Sequence, residues 1–324
     1  MSDHQVSRMN LEELLRVIRG PARPTPRQLA HRRRRATLLA ALAAFAFIFG
    51  IVVGAGSGSS SEVAVDTQKV GWYGHLRMLA GGGRGSLSLE QRAAENAAIN
   101  RALSATPFIR MGGRNTREVA LTFDDGPGQD TEDLLDVLEQ EHVPATFFML
   151  GKNIPEFPNA VKRLIDAGVP LDDHSMDHPA MASLGADEQR AQIAGAASVI
   201  EDTGAPYPRL FRPPYGSYNQ TTHEVLGRLR MLSVLWSVDS QDYTKPGVDA
   251  IVNNVVSAIH PGAIVLMHDG GGDRTQTIAA VKRIIPELRR QGYRFVTVPR
   301  LLLDDPPVAD EQGLPSGFNP TGAG

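Results

Sequence analysis

The chain has 324 residues, of which 42% are hydrophobic and 21% are charged. This composition is ordinary for a globular protein and excludes a mainly disordered chain. There is no cysteine, which excludes disulfides, zinc–thiolate sites and cysteine nucleophiles. The net charge of -3 is unevenly distributed, because residues 1–36 carry nine arginines and three acids and the remainder is acidic. A basic N-terminal segment followed by an acidic remainder argues against a nucleic-acid-binding protein, in which the folded domain itself should be basic.

An uncharged segment follows the basic N-terminal residues. Arg32–Arg35 directly precede residues 36–55, in which Thr37 is the only polar side chain. Twenty helical residues span about 30 Å, the thickness of the hydrocarbon core of a bilayer. A buried core helix is an alternative, although a segment apolar on all faces is unusual in a soluble domain. A signal peptide cleaved after Ala55 is another, although the basic region and the apolar run are both long for one.

We therefore predict an uncleaved, single-pass membrane anchor at residues 36–55. The excess of arginine before it places residues 1–35 in the cytoplasm and the rest of the chain outside the cell membrane. Residues 56–115 are interpreted as a linker and spacer region that begins with a Gly/Ser-rich stretch. The final residues, 306–324, are rich in proline and glycine and predict a disordered tail.

One helix is predicted within the spacer region. Residues 87–103 have a helical pattern, with Ser88 as the N-cap. We expect this helix to be a spacer or to pack on the domain that follows it.

Residues 116–305 alternate strand-like and helix-like segments. Runs typical of strands are Glu118–Phe123, Ala145–Leu150, Leu210–Phe211, Met231–Val238, Ala263–Met267 and Arg294–Val298. Segments typical of helices are Thr131–Gln140, Pro158–Ala167, Ala186–Glu201, Gln220–Arg228, Val248–Ile259 and Thr275–Arg290. This alternation predicts a parallel α/β sheet, either as a barrel or as an open doubly wound sheet. In both architectures, functional sites form at the carboxyl ends of the strands.

Two acids and two histidines follow the first predicted strands. Asp124 and Asp125 precede a Gly-Pro turn, and adjacent carboxylates repel each other unless a cation lies between them. A helix-capping turn is the alternative explanation for such an Asp pair. His174 and His178 have the i, i+4 spacing that lets two imidazoles bind one metal ion, a spacing that also arises by chance.

Three later segments also carry polar groups at strand ends. Arg212 precedes two prolines, which favour a rigid, extended loop, although a solvated surface arginine is the alternative. Asp242 and Tyr243 follow an apolar strand and offer an acid and an aromatic wall. His268 ends another apolar strand and is either functional or a satisfied core histidine.

These groups form a coherent set when they are taken together. They lie at or near successive strand ends of one parallel sheet, which is where an α/β active site is built. Two histidines and a carboxylate are a metal-binding combination of the catalytic type, which leaves coordination positions open for water. One aspartate and one histidine remain for acid–base chemistry.

The five segments resemble, in order and spacing, the motifs of the polysaccharide deacetylase family, also called the NodB-homology family or carbohydrate esterase family 4. The resemblance extends over about residues 116–303 and does not include residues 1–110. It implies a distorted (β/α) barrel of the NodB type and hydrolysis of N-acetyl groups on amino sugars.

The resemblance also implies a role for each matching acid–base group. Asp124 is expected to be the general base and Arg212 the partner that orients it. His268 is expected to be the general acid, oriented by Asp242. The backbone N–H of Tyr215 is expected to help bind the oxyanion, so this residue also contacts the substrate.

The implied metal ligands are Asp125, His174 and His178. The expected cofactor is a divalent metal ion, in the first place Zn²⁺, with Co²⁺ suited to the same ligands. Leu266 is expected to line the acetyl pocket and Tyr243 to form an aromatic wall of the groove.

Two departures from the family pattern concern the surroundings of this site. Many members have His-Glu-Ile-Gly-Asn before the first metal histidine, where this chain has Val-Pro-Leu-Asp-Asp at residues 169–173. Asp173 is therefore expected to add negative charge near the metal. Many members have tryptophan where Tyr243 stands, and tyrosine still offers an aromatic groove wall for a sugar.

We therefore expect the protein to be a metal-dependent deacetylase of a cell-envelope polysaccharide, with peptidoglycan N-acetylglucosamine as its substrate. An anchored enzyme reaches only nearby polymers, and the wall is the nearest acetylated one in a bacterium. Chitin oligomers, xylan and a different small amide are the alternative substrates. The alternative class of protein is a glycan-binding domain of the same fold without catalytic activity. No nucleic-acid partner is expected, because the arginine run abuts the membrane segment.

Overall fold

The computed structural model describes residues 87–308. Residues 1–35, the predicted anchor at residues 36–55 and almost all of the predicted tail lie outside this range. Among the described helices, none is both long enough and apolar enough to cross a bilayer.

Nine strands and eight α-helices alternate along the described residues. The strands are β1 Phe108–Ile109, β2 Glu118–Gly126, β3 Thr146–Met149, β4 Leu171–Asp173, β5 Leu210–Phe211, β6 Leu232–Val234, β7 Val238–Asp239, β8 Ala263–His268 and β9 Arg294–Phe295. The helices are α1 Leu89–Ala105, α2 Thr131–Gln140, α3 Pro158–Asp166, α4 Ala186–Asp202, α5 Gln220–Leu229, α6 Val248–Ala258, α7 Thr275–Arg290 and α8 Val298–Asp304. All strand pairs are parallel, as the alternation of strands and helices predicts.

The sheet curls into a distorted barrel. Its strand order is β1-β6-β5-β4-β3-β2-β8-β7, with β9 beside β2. Strands β1 and β7 are the two ends of this order, and β6, which pairs with β1, is separated from β7 in the chain only by residues 235–237. The Leu235 N–H donates to the Ile109 carbonyl at 2.7 Å, and the Ser237 N–H donates to the Ile264 carbonyl at 3.0 Å. The two ends of the sheet consequently meet along this short segment.

Alternate residues of β2 point into two different cores. Leu121 and Phe123 pack between the sheet and the outer helices, whereas Ala120 packs inside the barrel. Burial on both faces is typical of a strand in a parallel sheet covered by helices. The interior positions continue from Ala120 through Thr122 to Asp124, which places Asp124 at the carboxyl end of the strand.

Helix α1 closes the opposite end of the barrel. It begins at the predicted N-cap, where the Ser88 hydroxyl accepts from the Gln91 N–H and the Gln91 side chain accepts from the Ser88 N–H. Ile99 packs with Leu301 of α8 in the cluster inside the barrel. Helix α1 therefore packs on the domain that follows it, which is one of the two arrangements predicted for it.

The predicted strand Met231–Val238 is wrong as a single element. Its first part is β6 and its last residue begins β7, and these two strands pair with different neighbours. The predicted strand Arg294–Val298 is also too long, because Val298 begins α8 after the Thr297 hydroxyl caps the helix. Strands β1 and β4 were not predicted at all.

Candidate active site

Asp124, the candidate for the general base, lies at the carboxyl end of β2 and is hydrogen-bonded to Arg212. The Arg212 guanidinium donates to Asp124 Oδ1 at 2.7 Å and to the Thr122 hydroxyl at 2.8 Å. The Arg212 side chain is fully buried and also stacks over the Phe148 ring at 4.2 Å. One Asp124 oxygen is therefore fixed by a buried cation, while Oδ2 lies 3.9 Å from His174 Nε2.

The three predicted metal ligands converge on one point. Asp125 Oδ1 lies 3.5 Å from His174 Nε2 and 3.2 Å from His178 Nε2. Zinc ligands stand about 2.0–2.2 Å from the ion, which at tetrahedral angles separates them by about 3.3–3.6 Å. Asp125 turns away from the strand with φ of 69°, so its carboxylate points to the histidines rather than to Arg212.

The chemistry of these ligands also fits a divalent cation. Asp125 Oδ1 is buried without a hydrogen-bond donor, which is costly unless a cation or another donor satisfies it. His174 Nδ1 lies 2.7 Å from the Arg212 carbonyl, so Nδ1 carries the proton and Nε2 is left as the electron-pair donor. Burial, with the nearby His174, lowers the pKa of His178 to about 4, which keeps its imidazole neutral at pH 7. Burial alone would raise the pKa of Asp125, but its contacts with the histidines lower it overall, so the carboxylate is ionised.

The acid candidate is held at the end of β8 by a second carboxylate. His268 Nδ1 donates to Asp242 Oδ1 at 2.7 Å, and the His268 backbone N–H donates to Asp242 Oδ2 at 2.9 Å. Burial opposes protonation of His268, but the Asp242 hydrogen bond and charge outweigh it and raise the pKa of the imidazole. His268 is therefore suited to donate a proton from Nε2.

Replacing Asp242 by asparagine should move the alkaline limit of activity to lower pH. Without the carboxylate, the pKa of His268 falls, and the acid form needed for proton donation is lost at a lower pH. The measurement is the pH profile of kcat/KM. Thr277→Val is the matched control, because it removes a 2.8 Å hydrogen bond to Asp242 without removing its charge, and it should shift the profile much less. An unchanged profile in the Asp242 variant would contradict this coupling.

Two exposed tyrosines lie beside histidines of the site. Tyr215 is 66% exposed, has φ of 59°, and packs edge-on to the His178 ring at 4.5 Å. Tyr243 is 48% exposed and lies 5.5 Å from the His268 ring. Leu266 is nearly buried on β8, on the same side of the strand as His268. The structure thus brings every predicted site residue to one end of the barrel.

Asp172 and Asp173, which precede the predicted metal ligand His174, are both buried. The Asp173 carboxylate accepts from the Ser175 N–H at 2.7 Å, and burial raises its pKa well above the usual range. Burial raises the pKa of Asp172 to about 7, although the Leu210 N–H donates to it at 2.9 Å. Burial therefore favours the neutral form of the Asp173 carboxyl, while the hydrogen bond from Ser175 favours the ionised form.

Sequence reasoning missed the contacts that join the loops after β2 and β8. The Thr131 hydroxyl donates to Asp269 Oδ2 at 2.6 Å, and the Arg274 N–H donates to Asp130 Oδ2 at 2.6 Å. A Cβ on Gly270 would lie 2.0 Å from the Asp125 carbonyl oxygen. The run of glycines after His268 and Asp269 was the one signal of this close approach.

The curled parallel sheet and the site at its carboxyl end define a class: (β/α) barrel hydrolases with one Asp-His-His site suited to a catalytic metal. The sequence profile of the polysaccharide deacetylase family matches residues 112–234. A peptidoglycan-N-acetylglucosamine deacetylase of Bacillus cereus is 39% identical over 196 residues, which are 60% of this chain and 71% of that protein. The chain belongs to the polysaccharide deacetylase family.

Other relatives within the family carry different substrate names. A chitooligosaccharide deacetylase of a Bradyrhizobium strain is 38% identical over 57% of this chain and 91% of that protein. A solved structure of a peptidoglycan N-acetylglucosamine deacetylase, in complex with a naphthalenyl-N-oxidanyl-benzamide, matches with a TM-score of 0.60 and 37% identity. The match covers 61% of this chain and 94% of that one.

Proposed function

We propose that the protein removes N-acetyl groups from amino sugars of a cell-envelope polysaccharide, with peptidoglycan N-acetylglucosamine as its substrate. The observation that carries the proposal is the placement of an oriented base and an oriented acid around the three-ligand cluster. Asp124 is fixed by Arg212, and His268 is fixed by Asp242. Relatives named for peptidoglycan and for chitooligosaccharides support an N-acetylated glycan as the substrate class.

The chain's own residues supply the proton transfers of amide hydrolysis. Asp124 accepts a proton from the water that attacks the acetyl carbonyl carbon. His268 donates a proton to the sugar nitrogen as the carbon–nitrogen bond breaks, so the products are acetate and a free amine. Arg212 keeps one Asp124 oxygen in place, and Asp242 holds the imidazole with Nε2 available.

The metal ligands would hold a divalent cation through Asp125, His174 and His178. Such an ion, when bound, supplies Lewis-acid polarisation of the carbonyl and makes water more acidic. Two nitrogen ligands and one oxygen ligand suit Zn²⁺ and also Co²⁺, so we propose Zn²⁺ first and Co²⁺ second.

The aromatic walls of the groove support a sugar substrate. Tyr215 and Tyr243 are both exposed, and their rings lie beside His178 and His268 respectively. Aromatic rings with one exposed face offer an apolar surface to a sugar ring while their hydroxyls remain hydrated. The Tyr243 hydroxyl is also held by Asp239 at 3.3 Å, a contact that a tryptophan could not make in the same way.

The experiment that tests the substrate is acetate release from peptidoglycan, chitin oligomers and xylan, measured side by side with the purified protein. The proposal expects the highest kcat/KM on peptidoglycan. A preference for chitin oligomers or xylan would replace the proposed substrate. Binding to these glycans without acetate release would favour a glycan-binding domain instead.

We also propose that residues 36–55 anchor the protein in the cell membrane, with residues 1–35 in the cytoplasm and the deacetylase domain outside. The support is the arginine run before an uncharged segment of membrane-spanning length. Because the chain has no cysteine, single cysteines can report the topology. A membrane-impermeant thiol reagent should label Ser60→Cys and not Ser7→Cys in intact cells. Labelling of Ser7→Cys alone would reverse the proposed orientation.

A further inference from the structure

A cavity of about 420 Å³ opens directly beside the metal ligands. Asp125 and His178 form part of its wall, and the loops after β2 and β3 supply Gln129, Lys152 and Phe157. The reacting acetyl group must lie at the ligand cluster, so a molecule in this cavity is the immediate neighbour of the reacting sugar. The proposed acid–base chemistry makes no use of Gln129, Lys152 or Phe157.

Lys152 brings to this cavity a positive charge that forms no ion pair with the described residues. It is the only lysine or arginine in the cavity wall, and the only acid there is the metal ligand Asp125. Among the ion pairs of residues 87–308, none includes Lys152, and its ammonium donates only to the Asp177 carbonyl at 3.4 Å. Arg163 on α3, by contrast, lies within 4 Å of three acids.

The backbone that carries Lys152 is fixed relative to the metal ligands. The Lys152 N–H donates to the Met176 carbonyl at 3.1 Å, in the loop between the two metal histidines. The neighbouring Asn153 side chain donates to the Asp125 carbonyl at 2.9 Å. Lys152 therefore stands at a defined place beside the cluster, while its flexible side chain can adjust to a ligand.

Other residues of the cavity wall suit a sugar ring. Phe157 is half-buried and offers an apolar surface, and the Gln129 amide lies on the same cavity. An apolar surface with a few polar groups and one cation fits a sugar unit that carries an acidic substituent.

We propose that this cavity binds the sugar next to the reacting one and that Lys152 recognises a carboxylate on that neighbour. This inference rests on the proposed function and narrows it to acidic glycans. In a glycan where every second sugar carries a lactyl ether, that carboxylate, or those of the peptide attached to it, is one unit from the acetyl group. Chitin oligomers have no such charge. Lys152 is accordingly a specificity-determining residue that favours peptidoglycan over neutral polymers.

The test compares wild-type protein with Lys152→Met on three glycans. They are a peptide-free tetrasaccharide with free lactyl carboxylates, the same tetrasaccharide with those carboxyls converted to amides, and a peptide-bearing tetrasaccharide. We expect Lys152→Met to raise KM about twofold to fivefold on the acidic glycan, the range of an exposed ion pair, with kcat unchanged. The amidated glycan should show no change. Lys152→Arg should restore the wild-type KM, and added salt should reduce the difference.

Lys282→Met is the matched control, because Lys282 is an exposed lysine on α7 that does not line the cavity. It should leave KM unchanged on all three glycans. An effect of Lys152→Met confined to the peptide-bearing glycan would support the inference and assign the carboxylate to the peptide. Equal changes on the acidic and amidated glycans, or no change on any glycan, would overturn it. Wild-type protein that releases no acetate from any of the three would overturn the proposed function itself.

Discussion

Replacement of Asp124 by asparagine is expected to lower kcat by about 10²–10⁴-fold while the metal stays bound. An amide cannot accept the proton of the attacking water, but its carbonyl oxygen can still accept from Arg212 at the position of Oδ1. Oδ2 is the oxygen that faces His174, and it is 3.9 Å from Nε2, which is longer than the contacts of Asp125. Asp124 is therefore beside the metal cluster without being one of its closest ligands.

The variant Asp125→Asn, measured in the same experiment, distinguishes the roles of the two aspartates. It should lose bound metal as well as activity, because Asp125 is the carboxylate that both histidines approach. Metal content and kcat of the two variants are the readouts. An equal loss of metal in both variants would contradict the division of roles, as would an Asp124 variant with near-normal kcat.

The Asp124 variant needs a stability control because its partner is buried. Arg212 is fully buried, and removing the charge of one partner of a buried ion pair typically costs about 3–5 kcal/mol of folding free energy. The remaining bonds to Thr122 and to the Val234 and Leu235 carbonyls still satisfy the guanidinium. Activity should accordingly be compared below the lowered Tm and per folded molecule, as judged by circular dichroism.

Removal of the metal is expected to abolish acetate release without unfolding the barrel. His174 is held through Nδ1 by the Arg212 carbonyl, and the Ser175 N–H beside it is held by Asp173, so the ligand loop keeps contacts of its own. A chelator followed by dialysis should give an inactive protein with a near-native circular dichroism spectrum. Added Zn²⁺ or Co²⁺ should restore activity and raise the Tm, because a ligand that binds only the folded state stabilises it.

A histidine variant provides the matched control for this prediction. His178→Gln removes one of the two nitrogen ligands and should reduce both metal content and the response to added Zn²⁺. His142 lies outside the cluster, two residues after α2 ends, and His142→Gln should behave as the wild type. Full activity in a preparation verified to be metal-free would contradict the metal requirement.

The elements that carry the site were predictable because apolar runs end in polar groups. Strand β8 is an unbroken apolar run up to His268, and β2 is buried on both faces up to Asp124. In a parallel sheet these ends share one edge, so residues far apart in the sequence could be assigned to one site. Their distances and orientations needed the structure, as the positive φ of Asp125 shows.

The elements that were missed depend on long-range contacts. Strand β4 contains Asp172 and Asp173, which look exposed in the sequence, but both are buried and accept backbone N–H groups. Burial favours the neutral form of each carboxyl group. The local sequence pattern does not show that these two residues are buried. The segment around Leu235 looks like continued strand because it is mostly apolar. In the structure the Leu235 N–H donates to the Ile109 carbonyl of β1, where the two ends of the sheet meet.

The central claim, deacetylation of N-acetylglucosamine in the wall, is tested most directly by muropeptide analysis of the host. The wild-type protein and His268→Ala are produced at equal, raised levels in the strain, and the fraction of de-N-acetylated glucosamine in the digested wall is measured by mass spectrometry. His268→Ala is a suitable blank because the acid is lost while the three metal ligands remain. The account predicts a raised fraction with the wild-type protein and no rise with the variant. An equal fraction in both strains would contradict it.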